Sequence, residues 1–437
     1  MDLSPETIGW IMLGVLLVLL LLRVPVAYLF ALTGLVGYML ISGSKAAFNM
    51  AGMTMFSSIS LYGFSVVPMF LLMGYFAFHA GIISSLFDSA KKWVGHVPGG
   101  LAQATVIGGA GFGAVSGSGL ASTATLARIT IPEMIRSGVD PRLAYGVVAS
   151  AGPLAQMIPP SIMMVMYAII AEQPIGKLLI AGIMPGLLTA TVYMLLIYVM
   201  VKRQPNLAPS IPKVPWKERF RSLNQLYAFG ILGISIIAGI YTGFFTPNEA
   251  GAVGAFVALL LLIFMGKFNM NVLKNSVLET VKTTSMVFLI VASSFVFGYF
   301  LGITRIPTNI SEFLTNLPVP AHVILIGIII MYLILGMFVD MLAAMFLTLP
   351  IILPAVEALG FDMVWFGVLM VFLAEVALVT PPFGISLFII KGTIPESDLK
   401  DIIRGSLPFI AADLVVIALL VLFPEIVTFL PNLMKGS

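Results

Sequence analysis

The stretch GFGAVSGSGLASTATL, residues 111–126, carries four glycines and five hydroxyl side chains in sixteen residues. It stands in a chain of 437 residues that is 60% hydrophobic and only 9% charged, with a mean hydropathy of +1.10. Windows of about 20 apolar residues, long enough to cross a bilayer, recur along this chain. Non-helical backbone at membrane depth is tolerated only against protein or water, because unsatisfied peptide groups are costly in lipid. The stretch therefore predicts the turn of a helical hairpin buried inside a polytopic membrane protein.

The pattern of apolar runs predicts an all-α fold with ten full crossings and two re-entrant hairpins. The predicted crossings are 7–22, 24–42, 62–82, 142–171, 178–201, 226–245, 248–266, 284–303, 363–391 and 407–430. The hairpins are 100–136 and 322–358, which are too long for one crossing and are interrupted by glycine or polar residues. Two further stretches, 83–95 and 270–282, are amphipathic.

Several function classes are disfavoured by composition. The one long polar segment, 201–225, is too short to form a soluble domain. The function must therefore lie in the bilayer or at its faces. The chain has no cysteine for a disulfide or a thiolate metal site, and His79, His96 and His322 are too far apart in sequence to suggest a metal cluster. It also lacks the phosphate-binding motif G-x-x-x-x-G-K-[ST], so we expect no ATP site.

The distribution of lysine and arginine predicts the orientation. With the 201–225 linker placed in the cytoplasm, the cytoplasmic side carries seventeen of these residues and the other side four, Arg128 being left aside. The cytoplasmic set is Arg23, Lys91, Lys92, Arg136, Arg142, Lys202, Arg203, Lys213, Lys217, Arg219, Arg221, Lys267, Lys274, Lys282, Lys391, Lys400 and Arg404. The opposite set is Lys45, Lys177, Arg305 and Lys435. Both termini are therefore expected outside the cytoplasm.

An internal repeat emerges when the sequence is compared with itself at a shift of 222 positions. The coinciding pairs are Pro25 and Pro247, Ala121 and Ala343, Pro132 and Pro354, Gly138 and Gly360, Asp140 and Asp362, Ala155 and Ala377, Pro159 and Pro381, and Pro160 and Pro382. Because each half, 1–222 and 223–437, then holds an odd number of crossings, the second half must be inverted. Chance recurrence of prolines is the alternative. Inverted repeats with broken helices are typical of secondary transporters.

The repeat divides each half in the same way. The first half would have helices at 1–82, an amphipathic stretch at 83–95, the hairpin and broken helix at 100–171 and a helix at 178–201. The second half would have helices at 226–266, an amphipathic stretch at 270–282, a helix at 284–303, the hairpin and broken helix at 322–391 and the last helix at 407–430.

The first hairpin turn faces a predicted helix break at AGPLAQMIPPSIMM, residues 151–164. Two consecutive prolines interrupt the helix, so carbonyls near Met157 and Ile158 lose their hydrogen-bond donors. Hydroxyl and carbonyl oxygens without a fixed carboxylate suit a hard, singly charged cation such as sodium. The alternative is close helix packing, in which serine and glycine are also enriched. The first predicted sodium site is Ser116, Ser118, Ser122, Gly152, Ile158, Pro159 and Ser161, with Thr123 as a further hydroxyl.

The second half repeats the arrangement with a carboxylate. Asp340 stands where the first half has Ser118, and the break is VALVTPPFGISLF. An ionisable residue within the membrane costs at least about 2.5 kcal/mol unless it is paired or hydrated, so a functional role is the default hypothesis. The alternative is that Asp340 caps a half-helix. The second predicted sodium site is Gly336, Asp340, Thr380, Pro381 and Gly384.

Candidate substrate-binding residues lie around the same breaks. They are Ser118, Ser161 and Asp340, with Arg128 and Glu375 as weaker candidates. Arg128 would either contact an anion or extend to the cytoplasmic edge of the membrane. Asp413 is expected to pack against a neighbouring helix.

These motifs resemble those of the large membrane subunit of tripartite ATP-independent periplasmic (TRAP) transporters, of the DctM or SiaM type. The resemblance rests on GAVSGSGLASTATLARITIPEM, GVDPRLAYGVVASAGPLAQMIPPS, GMFVDMLAAMFLTLPIILP and TPPFGISLF, and it spans essentially the whole chain. It implies a sodium-coupled importer of the bacterial inner membrane. The implied substrates are organic acids, such as C4-dicarboxylates, sialic acid and other sugar or keto acids. The implied mechanism is an elevator movement of hairpins and broken helices against a scaffold of the remaining helices, with the amphipathic stretches 83–95 and 270–282 as the arms that link the two.

The same resemblance implies two partners, a small four-helix membrane subunit and a periplasmic substrate-binding protein. Because this chain starts directly at a crossing, we expect the small subunit to be a separate chain. The nearest rival function is a self-sufficient sodium and anion symporter of the same architecture. A channel and an intramembrane serine hydrolase built on Gly117-Ser118-Gly119 are further alternatives, although no histidine base lies near that serine in the sequence.

Overall fold

The computed structural model describes residues 3–22 and 24–434, and every regular element in these ranges is helical. Arg23 and Lys435, which entered the charge count above, lie outside the described residues. The first eleven α-helices are α1 Pro5–Leu21, α2 Val26–Ser42, α3 Ser44–Ile59, α4 Val66–Ala80, α5 Ile82–Val94, α6 Gly100–Ser116, α7 Gly119–Arg136, α8 Pro141–Ala151, α9 Ile162–Ile170, α10 Ile175–Ala181 and α11 Ile183–Arg203. The others are α12 Trp216–Leu223, α13 Tyr227–Tyr241, α14 Pro247–Phe264, α15 Met270–Thr304, α16 Ile306–Thr315, α17 Ala321–Phe338, α18 Met341–Ala358, α19 Met363–Val379, α20 Ile385–Thr393, α21 Leu399–Leu422 and α22 Glu425–Asn432.

The helices are apolar enough for a membrane protein. Within the described residues, eight helices are long and apolar enough to cross a bilayer, and three shorter apolar helices accompany them. The all-α prediction is confirmed. The predicted crossing at 142–171 is not one continuous helix but two, because it contains the predicted break.

Both predicted hairpins break at the predicted turn. The first hairpin breaks after α6, where Gly117 takes a left-handed conformation with φ of 62° and Ser118 caps α7. The second breaks after α17, where extended Val339 is followed by Asp340, the cap of α18. A left-handed residue ends a helix at little cost only when it is glycine, which explains the position of the first turn.

Both double-proline segments interrupt their helices, as predicted. After α8 ends, Pro153–Gln156 forms a 3₁₀ turn and residues 157–161 are non-helical. In the second half, residues 380–384 separate α19 from α20. A proline has no N–H to donate, so a pair of prolines removes two consecutive rungs of the helical ladder. The peptide bonds Pro159–Pro160 and Pro381–Pro382 are both cis.

Helix boundaries recur at the shift of 222 positions. The breaks between α6 and α7 and between α17 and α18 are offset by 222 positions, and so are the ends of α7 and α18 and the starts of α8 and α19. The glycines that follow α7 and α18 also match, since Gly138 has φ of 85° and Gly360 has φ of 81°.

The structure corrects the sequence prediction at the second arm. The predicted arm 270–282 and crossing 284–303 form one uninterrupted helix, α15. The first 28 residues of α15 contain neither glycine nor proline, so nothing in the local sequence ends the helix between the two predicted elements. At the shift of 222 positions, α5 corresponds to α16 rather than to the stretch 270–282, which corresponds instead to α3.

Other helices differ from the prediction as well. Helices α3, α12 and α16 were not predicted, because they are short or only partly apolar. The predicted last crossing, 407–430, is instead α21, which begins at Leu399, followed by the separate helix α22. Pro424 separates α21 from α22, because proline cannot donate a helical hydrogen bond.

The chain divides into two compact units that do not follow the predicted halves. Unit 1 comprises Met1–Ser65, Glu279–Leu335 and Val339–Met363. Unit 2 comprises Val66–Leu278, Gly336–Phe338 and Val364–Ser437. Each unit therefore combines segments from both halves. This division does not test the repeat. The repeat compares positions in the sequence, whereas the two units are defined by contacts in space.

Unit 1 is held together by small-residue packing and polar contacts. Helices α1, α2 and α3 pack in chain order, and α16 packs on α18. A Cβ on Gly34 of α2 would lie 2.8 Å from the Phe297 Cα of α15, so these backbones approach closely. Asn309 Nδ2 donates to Glu6 Oε1 at 2.9 Å. The Tyr332 and Thr348 hydroxyls are hydrogen-bonded inside this unit.

Unit 2 contains a helix pair in which two glycines face each other. A Cβ on Gly146 of α8 would overlap the carbonyl oxygen of Gly405 in α21, and one on Gly405 would overlap the carbonyl oxygen of Arg142. Arg142 Nε also donates to Asp401 Oδ1 at 2.8 Å, at the end of the same pair. Small residues at such positions let backbones approach closely, which is how helices gain van der Waals contact in a membrane.

We expect Gly146→Ala to lower the stability of the folded chain by about 1–3 kcal/mol, the range for overpacking. Thermal unfolding of the purified chain in detergent measures this effect. The matched control is Gly298→Ala in α15, where an added Cβ meets no atom within 4 Å. That control should be neutral or stabilising by about 0.5–1 kcal/mol. Equal unfolding temperatures for the two variants would contradict the close α8–α21 contact.

Candidate cation-binding site

The first hairpin turn packs against the broken segment after α8, and both lie in unit 2. A Cβ on Gly117 would overlap the carbonyl oxygen of Pro160. A Cβ on Gly119 would lie 2.6 Å from Gln156 Nε2 and 3.0 Å from Pro153 Cα. Glycine is therefore required at the turn because two non-helical backbones meet there. The two stretches singled out in the sequence are brought together in the structure.

The contact continues along the helices on both sides of the turn. On α6, a Cβ on Gly113 would lie 2.7 Å from the Ala155 Cα. At the end of α8, a Cβ on Gly152 would lie 2.7 Å from the Thr123 Cα of α7. The hairpin and the broken helix thus form one tightly packed body, and Gly152 acts there through its small size.

Several of the predicted ligand hydroxyls bond to neighbouring backbone groups. Ser118 Oγ accepts from Ala121 N at 3.4 Å, and Ser116 Oγ accepts from Ser118 N at 3.4 Å. Ser161 caps α9, accepting from Met164 N at 3.2 Å. Capping uses part of the acceptor capacity of each hydroxyl, which has two lone pairs. These serines position the turn and the break, and they retain capacity for one further contact.

Two buried oxygens of the same region have no hydrogen-bond partner within the described part of the chain. They are Ser122 Oγ, on a residue that is 0% exposed, and Gln156 Oε1, on a residue that is 7% exposed. Buried polar atoms are nearly always paired, so an unpaired one points to a ligand or an ordered water. Ser122 was predicted as a ligand, whereas Gln156 was not singled out. The available signal was an amide in an otherwise apolar run beside a double proline.

The chemistry of this cluster suits a monovalent cation. It offers hydroxyl, amide and non-helical carbonyl oxygens, including those of Ile158 and Pro159, which lie in the segment 157–161. None of the side chains named here is a carboxylate, so the positive charge of a bound monovalent cation would not be neutralised. Hard cations prefer oxygen ligands of this type.

The second broken helix reaches the first hairpin through a hydroxyl pair. Thr123 Oγ1 and Ser386 Oγ lie 3.4 Å apart, and both residues are buried. Nearby on the chain, Thr380 Oγ1 donates to Val376 O at 2.6 Å. A Cβ on Gly384 would lie 3.0 Å from both the Leu378 and Thr380 carbonyl oxygens. At the break after α19, backbone oxygens therefore lie close to Gly384, and Pro381 lies inside the break.

Asp340 caps α18 in unit 1. Its Oδ1 accepts from Leu342 N at 3.1 Å and from Ala343 N at 3.4 Å, and the residue is exposed. The capping alternative is thus confirmed as a structural role, and it leaves the second carboxylate oxygen available. Gly336 lies within α17, close to its end. The second sodium site stays a prediction.

The two weaker substrate candidates lie in different surroundings. Arg128 is exposed on α7, and Ser118 lies near the start of the same helix. Glu375 is completely buried in unit 2, where its charged neighbour is Asp413. Asp413 packs against a neighbouring helix, as expected, since its Oδ1 accepts from the Tyr193 hydroxyl of α11. Glu375 therefore belongs with Asp413 and Tyr193.

A hairpin turn that packs on a proline-broken helix in a multi-pass helical membrane protein is typical of transporters. The family model described as tripartite ATP-independent periplasmic transporter, DctM component, matches residues 13–426. The chain belongs to this family, and the resemblance noted in its motifs is confirmed.

Named relatives match most of the chain. It is 35% identical to the C4-dicarboxylate TRAP transporter large permease protein DctM of Pseudomonas aeruginosa, over 86% of this chain and 88% of that protein. It is 31% identical to the sialic acid TRAP transporter large permease protein SiaM of Vibrio cholerae, over 91% of this chain and 92% of that protein. Among solved structures, the Alcanivorax borkumensis YdaH transporter, described as having an unusual topology, matches with a TM-score of 0.59. That match covers 88% of this chain and 89% of the other at 14% identity, so it shows a shared fold.

Proposed function

We propose that this protein is the large permease subunit of a sodium-coupled TRAP transporter that imports an organic acid. The observation that carries the sodium part is the pair of buried, unpartnered oxygens, Ser122 Oγ and Gln156 Oε1, where the hairpin turn meets the broken helix. The substrate class is that of the relatives, whose names specify C4-dicarboxylates and sialic acid. Other sugar acids and keto acids belong to the same chemical class.

Sodium would enter the cluster as a desolvated cation and regain its ligands from protein oxygens. Ser122 and Gln156 supply side-chain oxygens, and the break supplies carbonyl oxygens. Each net positive charge carried inward at 100 mV contributes about 2.3 kcal/mol to accumulation of the substrate. Coupling to sodium therefore drives uptake without ATP, in agreement with the missing nucleotide motif.

Helix ends favour binding of the substrate carboxylate beside the cation. Ser118 and Ser161 cap the N-termini of α7 and α9, so the positive ends of these helices lie at the turn and at the break. Bound sodium adds further positive charge in the same region. A carboxylate is attracted most strongly after the cation has bound, and this order links the two movements. Ser118 and Ser161 are the proposed substrate contacts, with Asp340 acting through the second cation site.

The architecture we propose is a pair of inverted repeats, 1–222 and 223–437, with an elevator movement of hairpins and broken helices. The recurrence of helix boundaries at a shift of 222 positions supports the repeat. The segregation of lysine and arginine supports periplasmic termini in the bacterial inner membrane. The partners are a small four-helix membrane subunit and a periplasmic substrate-binding protein, in keeping with the tripartite family.

Sodium should stabilise the purified chain against heat, and Ser122→Ala should weaken this effect. Loss of one oxygen ligand is expected to lower the sodium affinity about tenfold, equivalent to about 1.4 kcal/mol. Unfolding temperatures are measured against sodium chloride concentration, with choline chloride keeping the ionic strength constant.

The matched control is Ser293→Ala in α15, which removes another fully buried hydroxyl without a partner. Neither substitution should destabilise the sodium-free chain, because each removes an unsatisfied buried group. The control should retain the sodium response of the wild type. An unchanged sodium response in Ser122→Ala would show that the cation site is wrongly placed.

A further inference from the structure

A second group of buried polar side chains lies in unit 2, on α8 and α11, which both pack on α21, on α21 itself, and on α19, whose Trp365 Nε1 donates to Leu420 O of α21 at 2.9 Å. Ser150 of α8, Tyr193 of α11, Glu375 of α19 and Asp413 of α21 are each 0% exposed. The Tyr193 hydroxyl donates to Asp413 Oδ1 at 2.5 Å. Ser150 lies beside the same hydroxyl, and the charges of Glu375 and Asp413 act on each other and on Tyr193. Two acidic side chains thus share one interior site.

The hydrogen bonding of this group is incomplete. Both carboxyl oxygens of Glu375 and Oδ2 of Asp413 have no hydrogen-bond partner among the residues that the structure describes. The ion pairs found in those ranges involve neither residue. Within the described ranges, the two buried carboxyl groups therefore lie near each other with no basic side chain paired to either.

The surroundings close the site to water. Helices α8 and α21 touch backbone to backbone at Gly146 and Gly405, one turn from Ser150 and about two turns from Asp413. The Phe409 ring packs edge-on against Tyr193, with centroids 5.5 Å apart. On α19, Phe366 and Gly367 pack against Tyr167 of α9, about two turns from Glu375. The titratable groups around Glu375 are accordingly Asp413, Tyr193 and, further away, Tyr167.

An ionised carboxylate in such a place is very costly, because it loses its hydration and gains no compensating donor. A neighbouring carboxylate of the same sign increases this cost. Binding a proton removes the charge and needs no coordination shell, so it is the simplest way to neutralise the pair. Asp413 already accepts a hydrogen bond from Tyr193, which stabilises its anion, whereas Glu375 has no such support. The proton should therefore reside first on Glu375.

We propose that Glu375 and Asp413 form a buried proton-binding pair between α8, α11, α19 and α21. Glu375 is the main proton carrier, and Tyr193 is a positioning residue that orients Asp413. The site is distinct from the proposed sodium site, since it shares no residue with it. Glu375 lies five residues before Thr380, the first residue of the break after α19, so its charge state affects the helix that leads into this break. Loss of the proton would place a bare charge in that helix and favour an opened, hydrated arrangement.

Infrared difference spectroscopy of the full chain in lipid nanodiscs tests this proposal directly. At neutral pH the wild type should show the carbonyl stretch of a protonated carboxylic acid, with the expected shift in heavy water. Glu375→Gln should remove this band, since the amide mimics the neutral acid but has no carboxyl group. The matched control Glu312→Gln, which changes an exposed glutamate in α16, should leave the band unchanged.

Two further readouts make each outcome decisive. Tyr193→Phe removes the donor to Asp413, so a second carboxylic band should grow as Asp413 also takes a proton. A purely structural role for Tyr193 would lower the stability of the chain without increasing this second band.

The proposal is overturned if the wild type lacks the band at neutral pH, or if Glu375→Gln retains it. Loss of the band on addition of sodium chloride, but not choline chloride, would show that the pair binds a metal cation instead. The wild-type spectrum decides the proposal even if a variant fails to fold.

Discussion

Replacing Gly117 with alanine is expected to lower substrate uptake by more than about tenfold, which corresponds to more than about 1.4 kcal/mol of lost binding at the site. Gly117 has φ of 62°, and a Cβ there would overlap the Pro160 carbonyl oxygen. The added methyl group would separate the hairpin turn from the broken helix, and with it Ser122 from Gln156. Uptake is measured in cells that express the chain with its proposed small subunit and binding protein.

The matched control for this prediction is Gly266→Ala. Gly266 has φ of 68°, close to that of Gly117, but a Cβ there meets no atom within 4 Å. Both variants bear the cost of a left-handed alanine, about 1–2 kcal/mol, so both should unfold at lower temperature than the wild type. Only Gly117→Ala should also lose uptake and sodium-dependent stabilisation. Equal losses of uptake would mean that the backbone conformation matters and the close contact does not.

Asp340→Asn is the second substitution with a large expected effect, again more than about tenfold in uptake. Asparagine caps a helix about as well as aspartate does, so the hydrogen bonds to Leu342 N and Ala343 N can persist. The substitution removes the negative charge while keeping the cap. A strong loss of uptake with normal folding would therefore assign the charge of Asp340 to cation binding at the proposed second site.

Asp398→Asn controls for the general effect of neutralising a capping aspartate. Asp398 is exposed and caps α21 by accepting from Lys400 N at 3.0 Å, away from both breaks along the chain. We expect this variant to transport normally. Normal uptake by Asp340→Asn would leave that residue with its capping role alone. Reduced expression of both variants in parallel would indicate that the loss of charge affects folding.

The breaks that form the candidate site were predictable, because their causes are local. Gly117, the double prolines and the capping side chains interrupt helices through backbone chemistry that acts within a few residues. The continuity of α15 and the division between α21 and α22 also have local causes, and there the predicted boundaries were wrong. The amphipathic pattern and the family resemblance suggested a separate arm at 270–282, but amphipathicity does not end a helix when no breaker is present.

The roles of individual site residues were less predictable. Ser116, Ser118 and Ser161 were chosen for their hydroxyls, and the structure uses these hydroxyls to accept backbone hydrogen bonds. Ser122 and Gln156 look no different in the sequence from many other polar residues, yet they retain unpartnered buried oxygens. Whether a buried oxygen is left without a partner depends on every neighbour around it, which a linear pattern does not specify.

The sequence by itself determined that the chain is a helical membrane protein with two interrupted hairpins and two interrupted helices. Hydropathy decides partition into the bilayer, and glycine and proline decide where the helical ladder stops, so both properties are set by short stretches. Only the tertiary structure decided which groups share an interior site. Tyr193 and Asp413 stand 220 positions apart and meet because α11 and α21 pack together. Long-range packing thus decides which polar groups are paired and which remain available for a cation or a proton.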